Sequence, residues 1–200
     1  MLVNPPRGTA NAVVRRLDAG CVTYQNADGS TGVRHFINIA DAGLGGDVVH
    51  IVGNGTKRFG SATYTLAGLQ ALINFKNKPM TVDIDGSVHE LKKAQQVVIA
   101  NCQFFGGGMQ MAPSASPTDG VFDVVLIKDA GKIETMRGMN DIRSGRHLDQ
   151  SNPKMELMYG KRVSVSSPAR VRIDIDGEAV GFLPALFEIQ PSAIEFITPR

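Results

Sequence analysis

Short stretches in which apolar and polar residues alternate dominate this chain, and such alternation is typical of β-strands with one buried face. It predicts ten strands, near residues 20–25, 33–40, 79–85, 94–101, 121–127, 153–158, 161–167, 170–176, 184–189 and 193–198. Residues 61–75 and 132–144 instead carry apolar side chains at helical spacing, which predicts two helices. Because no strand–helix–strand rhythm appears, the pattern favours a mainly β fold, an antiparallel β-sandwich with two or three inserted helices.

Composition agrees with a β-rich domain that has a full core. The 200 residues are 42% apolar and include 22 glycines and 10 prolines, which implies many turns. A net charge of +2, spread along the chain, argues against nucleic acid as a partner. Cys21 and Cys102 stand far apart without metal-ligating companions, so a reducing cytoplasm is the plain inference. The sequence shows no signal peptide and no apolar run of membrane-spanning length.

Residues 171–178 form an alternating strand that ends in an Asp-Gly turn. Alternation predicts a core face and a water face, with Val171, Ile173 and Ile175 on the first and Arg172, Asp174 and Asp176 on the second. Asp176 and Glu178 bracket the turn, whose glycine supplies the positive φ of a tight hairpin. A carboxylate pair on a rigid ribbon suits a general base, although most Asp-Gly turns are only turns, so both interpretations stay open.

The chain contains a second turn of the same kind. Residues 81–87 read Thr-Val-Asp-Ile-Asp-Gly-Ser, with Ser87 at the position that Glu178 occupies in the other turn. We expect this copy to be a plain solvent-exposed hairpin.

A series of motifs in the second half of the chain carries a family resemblance. It runs from Asn101 through Phe-Gly-Gly-Gly-Met at 105–109, Ala-Pro-Ser-Ala at 112–115 and Asp-Gly-Val-Phe-Asp-Val at 119–124 to Asp-Gly-Glu at 176–178. In order and spacing it resembles the C-terminal half of bacterial diacylglycerol kinases and their sphingosine-kinase and lipid-kinase relatives, over about residues 18–199. The resemblance implies the β domain found in diacylglycerol and NAD kinases.

The activity that this resemblance implies is transfer of the ATP γ-phosphate to a lipid hydroxyl, as in diacylglycerol. Asp176 and Glu178 match the Asp-x-Glu of the family and are assigned to catalysis, because an alcohol needs a base that accepts its proton. Two acids so close together would also influence each other's protonation if both face one cleft.

The nucleotide-binding lobe of these kinases, with its Gly-Gly-Asp-Gly-Thr loop, has no counterpart in the sequence. We therefore expect residues 18–200 to be the C-terminal β domain and residues 1–17 its N-terminal edge, with the co-substrate ATP bound by a separate lobe. Gly8, Thr9 and Asn11 match a Gly-Thr-x-Asn motif on the nucleotide side of the family, but the family's next residue, Asp, is Ala12 here. A cofactor-binding remnant and a chance match both stay open.

A metal site is also implied by the resemblance. The family's Asp-Gly loop binds Mg²⁺ through one side-chain carboxylate and two main-chain carbonyls, at positions that align with Ser116, Asp119 and Val121. Because Ser114 and Thr118 stand where relatives often carry acids, a simple turn is the alternative to a metal site.

Two glycine-rich segments are candidates for substrate binding. Gly45 and Asp47 match a Gly-x-Asp near the lipid cleft of the family, although Asp47 could simply cap a following segment. Gly106, Gly107 and Gly108 could let the backbone approach a ligand closely, or form a bend between strands.

The leading hypothesis is the substrate-binding and catalytic-base domain of a lipid kinase, inactive alone. The alternative is a non-catalytic lipid-binding or regulatory module derived from such a kinase. Expected partners are a lipid substrate, the nucleotide-binding lobe and, transiently, a membrane surface that residues 57–59 could touch, while a homodimer is left open. This describes a cytoplasmic protein that associates peripherally with membranes.

Overall fold

The structure, a computed structural model, describes residues 12–54, 70–148 and 152–199. The elements in these ranges are, in chain order, β1 (Ala12–Gln25), β2 (Thr31–Phe36), β3 (Ile39–Gly43), α1 (Leu44–Asn54), β4 (Lys78–Ile84), β5 (Ser87–Ala94), β6 (Gln96–Ala100), β7 (Phe104–Phe105), β8 (Met109–Gln110), β9 (Phe122–Ile127), α2 (Lys132–Arg143), β10 (Met155–Gly160), β11 (Arg162–Ser166), β12 (Arg172–Ile175) and β13 (Glu178–Pro199).

Eleven of these strands form one sheet, and β7 and β8 form a small ribbon of their own. The sheet order is β10-β9-β6-β3-β12-β13-β11-β4-β5, with β1 paired to both β13 and β2. All described pairs are antiparallel. The predicted mainly β, antiparallel fold is therefore confirmed.

The sheet curls around the main hydrophobic core, to which nearly every strand contributes side chains. At its centre Phe36 stacks on Phe122, with ring centroids 5.6 Å apart, and meets Phe187 edge to face at 6.4 Å. All three rings are buried, and each contributes roughly 1.5–3 kcal/mol through loss of apolar surface to water. The two halves of the curled sheet therefore act as the two layers of a sandwich.

A second, smaller core lies on the outer face of β3, β6 and β9. Val98 and Val125 point into it from the sheet, and residues 111–115 together with Ile142 of α2 cover it. Strands β6 and β9 are consequently buried on both faces, which explains their continuous apolar runs.

Several strand predictions differ from the structure. The predicted strand 33–40 divides into β2 and β3, because the backbone N–H groups of residues 37 and 38 bond to a side chain, Asp176, and not to a neighbouring strand. The predicted strands 184–189 and 193–198 are one strand, β13, which bends at Ser192 with φ +54°. The sequence did not predict β5, whose mostly exposed residues lack an apolar face.

Helix α1 was not predicted either, because its glycines lower helix propensity. Those glycines let the helix approach the sheet: a Cβ on Gly46 would lie 2.9 Å from the Arg172 backbone, closer than such atoms approach in proteins. Since α1 covers the outer face of β12, Asp174 is buried. The expectation that Asp174 faces water is therefore wrong, whereas Asp176, beyond the strand end, is exposed as expected.

The two predicted helices are found as far as the described residues reach. Residues 70–74 are helical and Phe75 is not, while the earlier part of the predicted helix 61–75 lies outside the described residues. Helix α2 ends at Arg143, and of its in-phase apolar residues only Ile142 is buried, with Ile133, Met136 and Met139 exposed. Within the described ranges no helix is both long enough and apolar enough to cross a membrane.

Candidate functional site

Asp176 stands at the tip of the β12–β13 turn, where it adopts φ +50° ahead of Gly177 at φ +86°. Its carboxylate accepts three backbone hydrogen bonds: Oδ2 from Ile37 N at 2.9 Å, and Oδ1 from Asn38 N at 3.0 Å and Ile39 N at 3.1 Å. Asp176 N donates in return to the Ile39 carbonyl at 3.0 Å. The side chain is thus fixed in one orientation on the surface.

Glu178, the other predicted catalytic acid, binds a different partner. Its Oε2 lies 2.5 Å from Nη1 of Arg34 on β2, and both side chains are largely exposed. The carboxylates of Asp176 and Glu178 are therefore held by separate groups, one by backbone N–H groups and one by a guanidinium. The turn brings the two residues together but gives each its own anchor.

Buried polar residues behind this turn were not singled out as functional from the sequence. Asn101 is fully buried, and its Nδ2 donates to the carbonyls of Ile37 at 2.7 Å and Asp18 at 3.0 Å. Asp18 is buried too, and its carboxylate accepts from Gly120 N at 2.8 Å and Ser192 N at 2.7 Å. Asn101 thereby supports the segment that grips Asp176, and Asp18 ties this segment to the loop before β9.

A second buried feature lies directly under the turn. Asp41 on β3 and Asp174 on β12 are cross-strand partners, and both are buried. Burial, and then the neighbouring Asp174, raise the pKa of Asp41 well above its usual value. Burial likewise raises the pKa of Asp174, to about 7. The only sequence signal for this pair was an acid within the otherwise apolar run of β3.

Gly45 and Asp47, the first pair of predicted substrate-binding residues, lie in the first turn of α1. A Cβ on Gly45 would lie 2.3 Å from Asp41 Oδ2, so any other residue at this position would have to displace that carboxylate. Asp47 Oδ1 accepts from Arg172 Nε at 3.2 Å, which ties α1 to β12. In the structure both residues make contacts that hold α1 against the sheet.

Gly106, Gly107 and Gly108 form the tip of the β7–β8 ribbon, with φ between +46° and +90°. Nothing lies within 4 Å of the positions where Cβ atoms of Gly107 and Gly108 would stand. The tip is thus an exposed turn whose backbone is accessible to a ligand.

The predicted metal-binding residues lie together in one turn before β9. Asp119 N donates to the Ser116 carbonyl at 3.5 Å, and Asp119 Oδ1 accepts from Val121 N at 3.2 Å. The carboxylate of Asp119 is exposed and the available donors are oxygens, which suits Mg²⁺. These oxygen donors thus fit the chemistry of the ion. They include one carboxylate, and within the described residues no cluster of three or more His, Cys, Asp or Glu side chains is placed to hold a metal.

A further acid, Asp123, lies buried at the start of β9. Burial raises the pKa of Asp123. The Ser114 hydroxyl, which donates to Asp123 Oδ2 at 2.5 Å, opposes this rise, and the nearby Asp119 adds to it. Ser114 therefore has a structural partner in the fold. Gly8, Thr9 and Asn11 lie outside the described residues.

Two shallow hollows on the described surface have linings that do not include Asp176. One of about 340 Å³ is bordered by Pro113, Ser114 and Arg146, and one of about 620 Å³ lies beside β5 and β10. Asp176 and Glu178 border neither of them.

Comparisons with known proteins agree with the sequence motifs. The family described as "YegS C-terminal NAD kinase beta sandwich-like domain" matches residues 38–198. Diacylglycerol kinase from Bacillus subtilis (strain 168) is 26% identical over 193 residues, which cover 95% of this chain and 59% of that protein. A protein of Shewanella frigidimarina named "Probable lipid kinase YegS-like" is 27% identical, over 82% of this chain and 52% of its own length.

The fold is shared with a solved structure. The crystal structure of a diacylglycerol kinase from Bacillus anthracis (strain Sterne) superposes with a TM-score of 0.59 at 16% identity, covering 92% of this chain and 53% of that one. The chain thus spans little more than half the length of these relatives. Because the family match covers most of its residues, the chain belongs to the YegS C-terminal family, the C-terminal domain of YegS-like and diacylglycerol-kinase-like lipid kinases.

Proposed function

We propose that this chain is the lipid-binding half of a kinase active site that transfers the γ-phosphoryl group of ATP to a lipid hydroxyl, with Asp176 as the general base. Membership of the lipid-kinase family supports the reaction class. The attachment of Asp176 supports the assignment of the base.

That attachment is the observation that carries the proposal. A carboxylate offers about four lone-pair positions, two on each oxygen. Three are filled by backbone N–H groups, two on Oδ1 and one on Oδ2. One position on Oδ2 of this exposed side chain remains for a further hydrogen, and its direction is fixed. A rigid acceptor with one open position is what proton removal from a bound hydroxyl requires.

The chemical step follows from this arrangement. The lipid hydroxyl donates a hydrogen bond to Asp176 Oδ2, and the proton passes to Oδ2 as the hydroxyl oxygen forms its bond to the γ-phosphorus. The bond between that phosphorus and the bridging oxygen breaks, so ADP leaves with the electron pair. Glu178 and Arg34, held together on the exposed side of the turn, contribute charges of both signs near the transferred group.

In our proposal the nucleotide is bound by a separate lobe of the kinase, since the relatives are nearly twice as long as this chain. A second lobe would close over the Asp176 turn and complete a cleft with the domain formed by residues 18–200, and Gly8, Thr9 and Asn11 would contribute to nucleotide binding. Ser116, Asp119 and Val121 would hold Mg²⁺, which when bound neutralises negative charge. Gly45, Asp47 and residues 106–108 would border the lipid.

The lipid substrate also implies transient contact with a membrane surface, because diacylglycerol-like molecules reside in bilayers. The oligomeric state, including a homodimer, stays a prediction.

The test is an ATP-dependent phosphorylation assay with diacylglycerol, sphingosine and phosphatidylglycerol in mixed micelles. The chain is assayed alone and together with the nucleotide-binding lobe of the Bacillus subtilis diacylglycerol kinase. We expect labelled phospholipid from at least one substrate only when the lobe is present. Lipid binding without phosphate transfer in any combination would overturn the kinase assignment and favour the non-catalytic lipid-binding module.

A further inference from the structure

The outer face of the sheet contains a buried polar cluster beneath the first turn of α1. Asp41 and Asp174 lie directly opposite each other on β3 and β12, with 1% and 6% of their surfaces exposed. Gln96, also buried, lies diagonally across from Asp41 on the other neighbouring strand, β6. Three adjacent strands thus bring two carboxyl groups and one amide together, away from water.

The hydrogen-bonding atoms of this cluster are unmatched in the described structure. Asp41 Oδ1, Asp41 Oδ2, Asp174 Oδ1 and Gln96 Nε2 are buried and have no hydrogen-bond partner. If both acids were ionised, two negative charges would be buried side by side, and the donor groups nearest to them would be the Gln96 amide and the Gly46 N–H. Such an arrangement is costly, because unpaired buried charges lose their hydration without compensation.

One added proton removes the mismatch. A protonated Asp41 becomes a donor to Asp174 Oδ1, and its other oxygen remains as the acceptor for the Gln96 amide. Every unmatched atom then has a candidate partner, and a single negative charge remains near the N-terminal end of α1, where the helix dipole favours it.

We propose that Asp41 and Asp174 share one proton and that this protonated pair positions the Asp176 turn. The connection is short on both strands. Ile39, which donates to Asp176, lies two residues before Asp41, and Asp174 lies two residues before Asp176. The strand that donates to Asp176 and the strand that leads to Asp176 therefore each contain one member of the pair.

The pKa directions agree with this geometry. Burial and then Asp174 raise the pKa of Asp41, while the Gln96 amide and the Gly46 N–H, which lie nearby without completing a hydrogen bond of good geometry, oppose part of the rise. Burial raises the pKa of Asp174 to about 7, opposed by the N–H groups of Gly177 and Glu178. The other charged or titratable groups on the elements that cover the pair are Asp47 and His50 on α1, Arg172 on β12, Asp176 in the turn and Glu178 at the start of β13.

The pH dependence follows from the direction of these shifts. An aspartate has a pKa of about 4 in an unfolded chain, whereas the pKa of Asp174 is about 7 in the folded one. Between these values the folded state binds more protons than the unfolded state, so stability falls as the pH rises. Below about pH 4 the contribution is fully present, and it is lost as the pair gives up its proton.

Asp41→Asn tests the pair, because asparagine resembles the protonated acid and cannot ionise. In the wild-type chain we expect the melting temperature to fall by about 5–10 °C from about pH 5 to about pH 8. In Asp41→Asn the fall should be less than about half as large. Asp83→Asn is the matched control, since Asp83 precedes the look-alike turn but has no acid opposite it, and its pH dependence should equal that of the wild type.

A second measurement does not depend on a variant that folds. With ¹³C-labelled aspartate carboxyl groups, the wild-type chain should show two coupled resonances of which one titrates near or above neutral pH. Hydrogen exchange at the amides of residues 37–39, corrected for intrinsic rates, should accelerate through the same pH range in the wild type and not in Asp41→Asn. Two independent titrations near pH 4, or equal pH slopes for Asp41→Asn and the wild type, would overturn the shared proton.

The inference that the pair contributes to catalysis rests on the proposed function, whereas the inference that the pair shares a proton does not. Titration, melting and exchange are all read without ATP or lipid. Failure of the kinase assay would therefore leave the shared proton standing, and failure of the titration would leave Asp176 as the base without this support. Unchanged exchange at residues 37–39 across the titration of the pair would show that the pair does not position the turn.

Discussion

Two turns in this chain share the sequence Asp-Ile-Asp-Gly and nearly the same conformation. Asp85 and Asp176 both have φ +50°, and the glycines that follow have φ +92° and +86°. The carboxylate of each aspartate accepts backbone hydrogen bonds from a neighbouring segment. That of Asp85 accepts from Lys161 N and Arg162 N, both at 2.9 Å. These carboxylate–backbone hydrogen bonds are therefore a property of the local sequence, and they do not by themselves mark a catalytic residue.

The surroundings of the two turns differ. Asp83 is half-buried, accepts from Gly86 N at 2.7 Å and faces Ser164 across the strand pair. Asp174, its counterpart, is buried under α1 and faces another acid, Asp41. One turn thus lies on an ordinary sheet, whereas the other rests on a buried ionisable pair and carries Glu178 beside Arg34. A function specific to one turn has to come from these neighbours.

The largest expected difference between the turns is in phosphate transfer. Asp176→Asn keeps the size of the side chain and removes the acceptor of the hydroxyl proton, so turnover with the nucleotide lobe should fall about 10²–10⁴-fold. Asp85→Asn is the matched control, and its turnover should stay within about twofold of the wild type, since Asp85 lies outside the site. Initial rates of labelled phospholipid formation measure both.

Equal losses in these two variants would mean that the turns matter only for folding. Comparable circular dichroism and melting curves for both proteins are therefore part of the measurement. A fully active Asp176→Asn protein would remove Asp176 from the mechanism.

The sequence was sufficient to predict what short-range periodicity determines. Alternation identified the antiparallel strands, and Asp-Gly identified both hairpin turns, because each depends on residues that are close together in the chain. The predicted break between strands 184–189 and 193–198 was wrong, since β1 pairs on both sides of the bend at Ser192 and keeps β13 continuous.

The sequence was insufficient where distant segments meet. Whether Asp174 faces water depends on α1, whose Gly45 and Gly46 argue against a helix locally yet are required by the close packing on Asp41 and Arg172. That Asp41 stands opposite Asp174 depends on the register of β3 against β12, which no local pattern specifies. Asp176 and Glu178 were identified from the sequence because their motif resembles a family. The groups that they bind, the N–H groups of residues 37–39 and Arg34, are identified only by the structure.

A smaller and symmetrical effect is expected in the core under each turn. Ile84 and Ile175 are both buried in the main core, with 4% and 3% of their surfaces exposed. Ile84→Ala and Ile175→Ala should each lower the free energy of unfolding by about 2–5 kcal/mol through lost burial and the cavity left behind. Urea denaturation should give similar midpoints for the two variants. A loss in only one of them would show that the turns are not equivalently anchored.

The smallest expected effect concerns the residue that follows the glycine of each turn, Glu178 in one and Ser87 in the other. The ion pair of Glu178 with Arg34 is exposed, so Glu178→Gln should change the free energy of unfolding by less than about 1 kcal/mol, and added salt should abolish the difference. Any large loss of turnover in Glu178→Gln would then reflect chemistry and not folding. Ser87→Glu is the reciprocal control, because it places the same acid in a turn outside the site and should leave turnover unchanged. A Glu178→Gln protein with full turnover at all salt concentrations would reduce the role of this glutamate to its surface contact with Arg34.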